Sequence, residues 1–479
     1  MRGLVVLVNA NRMEPLVAPI GLEYVAEALA AEGWDVDVID AALADTEPAD
    51  AIRSELAARE PDVVGVTFRN TDDCFLASRQ SFLPELRGTI DAVRQSTGAP
   101  IVLGGAGFSV MPEALLDFAG LDVGVWGEGE ASFGLLAGRL VAGEQLDDVP
   151  NLVIREEDGW RRTPVAYTPL SLLPPRTRRF VDNRAYFERG GQGGVETKRG
   201  CAQPCIYCAD PVAKGRTQRL RSPRTVATEM EALVAQGVDC LHICDSEFNL
   251  PEKHAKAICH EIVARGLGER ITWYAYAGPV PFSDELAGLM KAAGCVGIDF
   301  GADSGSDEQL ARLGRRFSCD DLMRTAESCR KTGITFMYDV LLGAPGETRE
   351  TLAETIDVMK MIEPDRVGLS VGVRLYPGTQ LAKMVQDDGF GPGNRALHGA
   401  TTGNPGMALP VFYVSEQLGD EMWGTVSDLV GDDPRFFFTD PTRPEQNYNY
   451  NDNRALVEAI ADGARGAYWD ILRRMAGDS

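Results

Sequence analysis

The run Lys198-Arg199-Gly200-Cys201-Ala202-Gln203-Pro204-Cys205-Ile206-Tyr207-Cys208 decides how this chain is understood. Three thiolates at this spacing can hold three irons of a 4Fe–4S cube. No fourth cysteine lies in the same loop, so the fourth iron is open to a substrate or cofactor. A zinc knuckle is the alternative, and it needs a second pair of ligands from elsewhere. Cys240 and Cys244 are the candidates, flanking Leu241-His242-Ile243. On a strand their side chains share a face but stand ~13 Å apart, too far to share one ion. The spacing favours a cluster.

Outward from this run the chain alternates strand-like and helical stretches. Apolar runs at 195–198, 240–244, 271–276, 296–300, 335–340 and 367–373 are separated by helical patterns such as 225–235 and 283–293. Six such units predict a partial (β/α)6 barrel over 189–385, with its site at the carboxyl ends of the strands. The cysteines follow the first strand at that end.

Ahead of it, residues 1–145 read as five β–α repeats, with strands at 4–10, 34–40, 63–68, 100–104 and 123–126. Continuous apolar strands between helices predict a doubly wound, Rossmann-like parallel sheet, and an α/β fold class for the whole chain. Ligands of such sheets lie beyond the strand carboxyl ends. Asn9, Arg69-Asn70, Gly104-Gly105-Ala106-Gly107 and Gly127-Glu128-Gly129-Glu130 fall there. Glycines at strand ends admit a flat ligand close to the backbone, although the G-x-G-x-x-G dinucleotide spacing is absent.

Residues 146–188, rich in Pro and Arg, are expected to be a linker. Residues 386–479 are expected to form a small α-rich capping domain. It carries Phe436-Phe437-Phe438 and Tyr448-Asn449-Tyr450 and ends in one helix over 454–475.

The chain has 479 residues, ten cysteines and a formal net charge of −24. Such acidity disfavours nucleic acid and anionic lipid as partners. No apolar run of ~18 residues suggests a membrane span. Met1-Arg2-Gly3 leads straight into a short apolar stretch without a cleavable signal pattern. Scattered cysteines suit a reducing compartment, so a cytoplasmic protein is expected. Lys198, Arg199, Lys214, Arg216, Arg219, Arg221 and Arg224 crowd the cysteine loop. They suggest either a solvated loop or a patch for anionic groups or an acidic electron donor.

With Tyr207 before the last cysteine, the run resembles that of radical S-adenosylmethionine enzymes. The resemblance implies a 4Fe–4S cluster on Cys201, Cys205 and Cys208 whose open iron binds S-adenosylmethionine and cleaves it to a 5′-deoxyadenosyl radical. Tyr207 would lie against the adenine. Asp245 and Glu247, in Asp245-Ser246-Glu247-Phe248-Asn249, resemble the segment receiving the methionine amino group. Asp303 and Ser304, in Asp303-Ser304-Gly305, resemble the family's Glu-Ser-Gly near the ribose. Gly343, in Gly343-Ala344-Pro345-Gly346, and Arg374, in Arg374-Leu375-Tyr376-Pro377, resemble the fifth and sixth strand ends.

The N-terminal half is similar to the cobalamin-binding domain fused ahead of many of these enzymes. It shares Pro19-Ile20-Gly21-Leu22, Asp40, Arg69-Asn70-Thr71-Asp72, Gly104-Gly105 and Gly127-Glu128-Gly129-Glu130. Asn9, Arg69, Asn70, Gly104, Gly105 and Glu128 would line the cobalamin pocket. His242, His254, His260 and His398 are the only histidines, and none lies in residues 1–185. Cobalamin would therefore be held without a histidine lower ligand.

The implied activity is cobalamin-dependent C-methylation of a small, secondary metabolite, with a flavodoxin- or ferredoxin-type electron donor. The alternative is a non-methylating radical cyclase or rearrangement enzyme, with cobalamin as a redox partner or absent. A non-catalytic sensor and an RNA methylthiotransferase are further, weaker alternatives. Tyr338 and Cys329 are candidate hydrogen donors in the barrel.

Overall fold

A computed structural model of the chain describes residues 2–167, 169–173, 176–419, 422–439 and 446–477. The first sheet contains parallel strands β1 (Leu4–Asn9), β2 (Asp35–Asp40), β3 (Val63–Thr67), β4 (Ile101–Gly104) and β5 (Val123–Val125). Val5, Val6, Leu7 and Val8 of β1 are all buried, as a strand covered by helices on both faces requires. Two more strands, β6 (Leu152–Glu156) and β7 (Gly159–Arg162), extend it, giving the order β2-β1-β3-β4-β5-β6-β7. β2 and β3 flank β1, so the topological switch point lies between β1 and β3.

β6 and β7 correct the expected linker. They form an antiparallel hairpin paired to β5. Leu152 and Val153 are fully buried, and Asp158-Gly159 is a turn signal that marks a hairpin. The charges around it hide an alternation only a few residues long.

The second sheet begins with β8 (Gly193–Val195). A small hairpin, β9 (Lys198–Arg199) with β10 (Arg219–Leu220), brackets the cysteine loop. Then follow β11 (Cys240–Ile243), β12 (Thr272–Ala277), β13 (Cys295–Asp303), β14 (Thr335–Leu342) and β15 (Arg366–Val371). β16 (Val373–Arg374), β17 (Leu397–Gly399) and β18 (Val411–Tyr413) make a separate antiparallel sheet. The last strand, β19 (Phe436–Phe437), returns to the barrel beside β15, in parallel. The barrel order is β19-β15-β14-β13-β12-β11-β8: the partial barrel has a seventh strand, taken from the segment expected to be a cap.

The C-terminal region is also less separate than expected. Leu456, Ile460, Trp469, Ile471 and Leu472 share one apolar core with the barrel. The single expected helix is two, Arg454–Ala461 and Tyr468–Gly477. Gly463 and Gly466, at φ +102° and +135°, break it. Among the described residues no helix is long and apolar enough to cross a membrane.

The two sheets are joined by a buried polar network. Arg178, in the connecting segment, has no exposed surface. Its Nε donates to Glu23 Oε2 at 2.6 Å and its Nη1 to Glu229 Oε1 at 3.0 Å. Glu23 lies on the first unit's helix Ile20–Ala31 and Glu229 on the barrel helix Pro223–Ala235. The Tyr24 hydroxyl donates to Glu229 at 2.7 Å, and Arg221 Nη2 adds a contact of 2.6 Å.

Candidate active site

The cysteine loop is held at the mouth of the barrel by backbone bonds. Cys201 N donates to Gly215 O at 3.1 Å and Ile206 N to Leu313 O at 3.1 Å; Ile206 O accepts from Leu381 N at 2.8 Å. Gly200 sits at φ +85°, and any Cβ there would collide with the Thr217 carbonyl. Gly200→Ala is therefore expected to disorder this loop without unfolding either sheet. Unchanged far-UV circular dichroism with loss of reconstituted cluster absorbance is the outcome to look for.

Cys201, Cys205 and Cys208 line one cavity of about 170 Å³ together with Gln203, Tyr207, Glu247, Asp303 and Arg315. Burial pushes all three thiols up, most strongly Cys208. Three clustered thiols so disfavoured as anions need positive metal beside them to ionise. Among the described residues no three His, Cys, Asp or Glu side chains converge as a single ion requires. A cube reached at separate corners makes no such demand. Cys240 and Cys244 do not line the cavity, so the residues present fit an iron–sulfur cluster and not a zinc knuckle.

Arg315 organises the wall opposite the thiols. Its Nη1 lies 3.0 Å from Cys205 Sγ, its Nε 3.2 Å from Asp303 Oδ2 and its Nη2 3.5 Å from Glu247 Oε1. Nη2 also donates to Gly301 O at 2.7 Å. Asp303 lies at a register shift in β13 and at φ +62°, which turns its carboxylate to accept from the Tyr207 hydroxyl at 2.5 Å. Gln203 Nε2 donates to Glu247 Oε2 at 3.2 Å. Burial raises Glu247 and Arg315 counteracts it.

Several residues expected in the site are committed elsewhere. Asp245 accepts from Thr197 N at 2.8 Å and from Lys198 Nζ at 2.9 Å, locking the strand before the loop. Ser304 pairs with Thr355 Oγ1 at 2.9 Å. The Gly343 amide donates to the Glu347 carboxylate. Arg374 binds Asp72 Oδ2 through Nη2 at 2.8 Å and Nε at 3.0 Å, joining the two domains rather than facing a ligand. Tyr338 is buried and donates to Leu322 O at 2.6 Å, and Cys329 is buried in the same core. Neither lines the cavity. Tyr338 points to the helices because side chains alternate along β14, and its neighbour Asp339 points inward.

The basic patch is mostly internal glue. Lys198 pairs with Asp245, Arg199 with Glu130 and Glu196, Lys214 with Asp210, Arg219 with Glu128 and Arg221 with Glu229. Arg216 and Arg224 are the exposed members.

At the first domain's switch point, Asn9 is engaged by Asp40 at 2.8 Å and Tyr186 at 2.7 Å. Glu128 is held by Arg219. Asn9 is thus tied into the sheet, while Glu128 keeps a buried Oε2 without a hydrogen-bond partner. Arg69 and Asn70 follow β3 and remain partly exposed. The Asn70 Oδ1 has no hydrogen-bond partner although buried, and Arg69 acts electrostatically on Tyr276 and Cys244 of the barrel. Gly105, at φ +108°, packs so tightly on the Phe68 backbone that a Cβ would meet its carbonyl oxygen at 2.5 Å. An orphaned amide oxygen, a guanidinium between domains and a side-chain-free turn fit a large flat polar cofactor.

Two family models match, the B12 binding domain over residues 6–137 and the radical SAM superfamily over 195–359. Tryptophan 2-C-methyltransferase of Streptomyces laurentii is 34% identical, over 98% of this chain and 95% of its own. This chain belongs to the cobalamin-dependent radical S-adenosylmethionine methyltransferases. The radical S-adenosylmethionine methyltransferase TsrM from Kitasatospora setae, solved with tryptophan and a SAM analogue, superposes with TM-score 0.92 at 33% identity, covering 99% of this chain and 98% of that one. The same enzyme with cobalamin and a 4Fe–4S cluster bound gives 0.86 at 30% identity, covering 100% of both.

In this methyltransferase, sequence reasoning missed Arg315, Gln203, Tyr276, Asp299 and Asp339. Arg315 carries no local signal, since only the fold brings it to the loop. Asp299 and Asp339 did carry one: each is an acid inside an otherwise apolar strand run, at a position the two-residue period turns inward.

Proposed function

We propose that this protein transfers a methyl group to a carbon atom of a small aromatic substrate of the tryptophan kind. When bound, S-adenosylmethionine, cobalamin and the cluster supply the methyl group and the one-electron chemistry. Cys201, Cys205 and Cys208 would hold the cluster. Tyr207, Glu247 and Asp303 would meet S-adenosylmethionine, and Arg69, Asn70, Gly104 and Gly105 would meet cobalamin.

The observation that carries the proposal is a single cavity with the cysteine loop on one wall and the barrel's inward residues Tyr276, Gly301 and Asp339 on another. The likeness to tryptophan 2-C-methyltransferase over nearly the whole chain supports it. The residues bind, orient and exclude water. Tyr448 and Tyr450 pack edge to face at 5.7 Å, and Phe75 from the first domain packs on Tyr448 at 5.6 Å. Asn449 Nδ2 donates to Asp73 Oδ2 at 3.0 Å, tying the tail to the first domain. These contacts roof the barrel with aromatic faces, which suit a planar substrate and keep water from a reactive centre. The proposal includes a flavodoxin- or ferredoxin-type electron donor in a reducing cytoplasm, in keeping with ten free cysteines.

Anaerobically reconstituted protein given tryptophan, reductant, cobalamin and methyl-labelled S-adenosylmethionine should yield an indole product carrying the label. A product that loses hydrogens and gains no carbon would replace methylation with cyclisation or rearrangement.

A further inference from the structure

We propose that Asp299 and Asp339 form a paired-carboxyl anchor for a positively charged nitrogen of the substrate, so that the molecule methylated is an amine with an aromatic body. The inference rests on this cavity being the methylation site. Asp339 lines the cavity, as does Gly301, its register partner on β13. Asp299 lies two residues before Gly301 on β13, on the same inward face. The two carboxyls stand within hydrogen-bonding reach of each other.

Asp299 is only 5% exposed. The Oδ1 atoms of Asp299 and Asp339 and the Tyr450 hydroxyl are buried without any hydrogen-bond partner. Neither acid has an ion-pair partner among the described residues, and Arg315, the cation lining the cavity, is already held by Asp303 and Glu247. Buried carboxyl oxygens left bare are costly. A ligand bearing N–H donors and a positive charge would meet Asp339 at the cavity wall, with Asp299 hydrogen-bonded to it behind.

The surroundings favour a cation over a neutral donor. The charged and titratable groups that face the pair are Tyr276 from β12, Asp303 from the end of β13, and Tyr448 and Tyr450 from the tail. All are neutral or acidic, and their rings offer cation–π faces. Arg69 reaches Tyr276 and Tyr468 from the first domain. Space is kept by a missing side chain: a Cβ on Gly368 would lie 2.5 Å from Asp339 Oδ1 and 2.6 Å from the Tyr448 ring. Burial pushes the proton affinity of both acids up; the charge of Asp339 adds to the shift of Asp299, while hydrogen bonds with Tyr448 and Asp299 oppose that of Asp339. The empty pair therefore retains a proton, and an arriving ammonium displaces it to solvent.

Calorimetric titration of the reconstituted protein with tryptamine, tryptophan and indole-3-propionate tests this. Both amines should bind, and indole-3-propionate should bind about tenfold or more weakly, as loss of a charge-assisted hydrogen bond implies. Tryptamine binding should release protons, so its enthalpy should differ between buffers of different ionisation heat. Asp299→Asn and Asp339→Asn should lose both the discrimination and the buffer dependence. If either fails to fold, Gly368→Ala, which crowds Asp339 and Tyr448, should do the same. No binding by tryptamine, equal binding by indole-3-propionate, or full discrimination in the variants overturns the anchor. Methyl transfer is scored separately with labelled S-adenosylmethionine. Amine-selective binding without any transfer would sink the methylation proposal and leave the anchor standing. Transfer to indole-3-propionate as readily as to tryptophan would do the reverse.

Discussion

Replacing Arg178 by alanine should cost about 3–5 kcal/mol of stability, the range for stripping one partner from a buried ion pair. Arg178 is fully buried and serves Glu23, Glu229, the Gly194 carbonyl and Asn183. Its loss leaves Glu23 on one domain without its cation and weakens the hold on Glu229 of the other, since Arg221 still pairs with the latter. Burial already pushes Glu23 up, with Arg178 opposing the shift. In the variant the proton affinity of Glu23 would rise further, and the contact between domains would lose ionic character. Arg178→Lys should recover only part of the loss, because a single ammonium cannot reproduce a fork that meets four acceptors. Denaturant midpoints of the three proteins decide the matter. An unshifted midpoint in the alanine variant would falsify the view that this segment is a structural clasp.

Arg315→Met should lower activity by roughly a hundredfold or more, if loss of the buried cation costs about 3 kcal/mol in the reacting complex. Methionine fills much of the same volume, so the fold should survive. Asp303 and Glu247 would then face the cysteine loop without compensation, and Cys205 Sγ would lose its donor. Glu247 is held down against burial chiefly by Arg315. Removing the guanidinium therefore raises it further, and the acid limb of the pH–rate profile should move to higher pH. Lysine at this position should restore charge but not the three-way contact. Binding of S-adenosylmethionine, followed by calorimetry, should weaken in parallel. A variant with normal binding and an unmoved acid limb would show that Arg315 only packs.

The chemistry was legible wherever it rested on local spacing. The three cysteines and Tyr207 share one loop, so sequence order alone brings them together, and most of the parallel strands declared themselves as largely apolar runs. Glu247, in the loop after β11, and Asp303, at the end of β13, stand out because their segments resemble the family's at the barrel mouth. The errors arose where side-chain parity or distant partners decide. Tyr338 and Asp339 are neighbours, and a period of two sends one to the core and the other to the cavity. Arg374 resembles a strand-end site residue in sequence, but its guanidinium is held by Asp72, 302 positions away. Asn9, Glu128 and Asp245 likewise resemble ligand contacts in sequence and are engaged by side chains from other elements. The seventh barrel strand escaped notice because Phe436–Phe437 is too short to show a pattern; only pairing beside β15 makes it a strand.

That short strand constrains how the enzyme can be re-engineered. β19 covers the outer edge of β15, while the residues just after it supply the tyrosines that roof the barrel. Grafting another homologue's tail to change substrate scope would thus also swap the piece that seals an open sheet edge. Chimeras cut near residue 386 should precipitate more often than they acquire new selectivity, whereas point changes at Tyr448 and Tyr450 leave the seal intact.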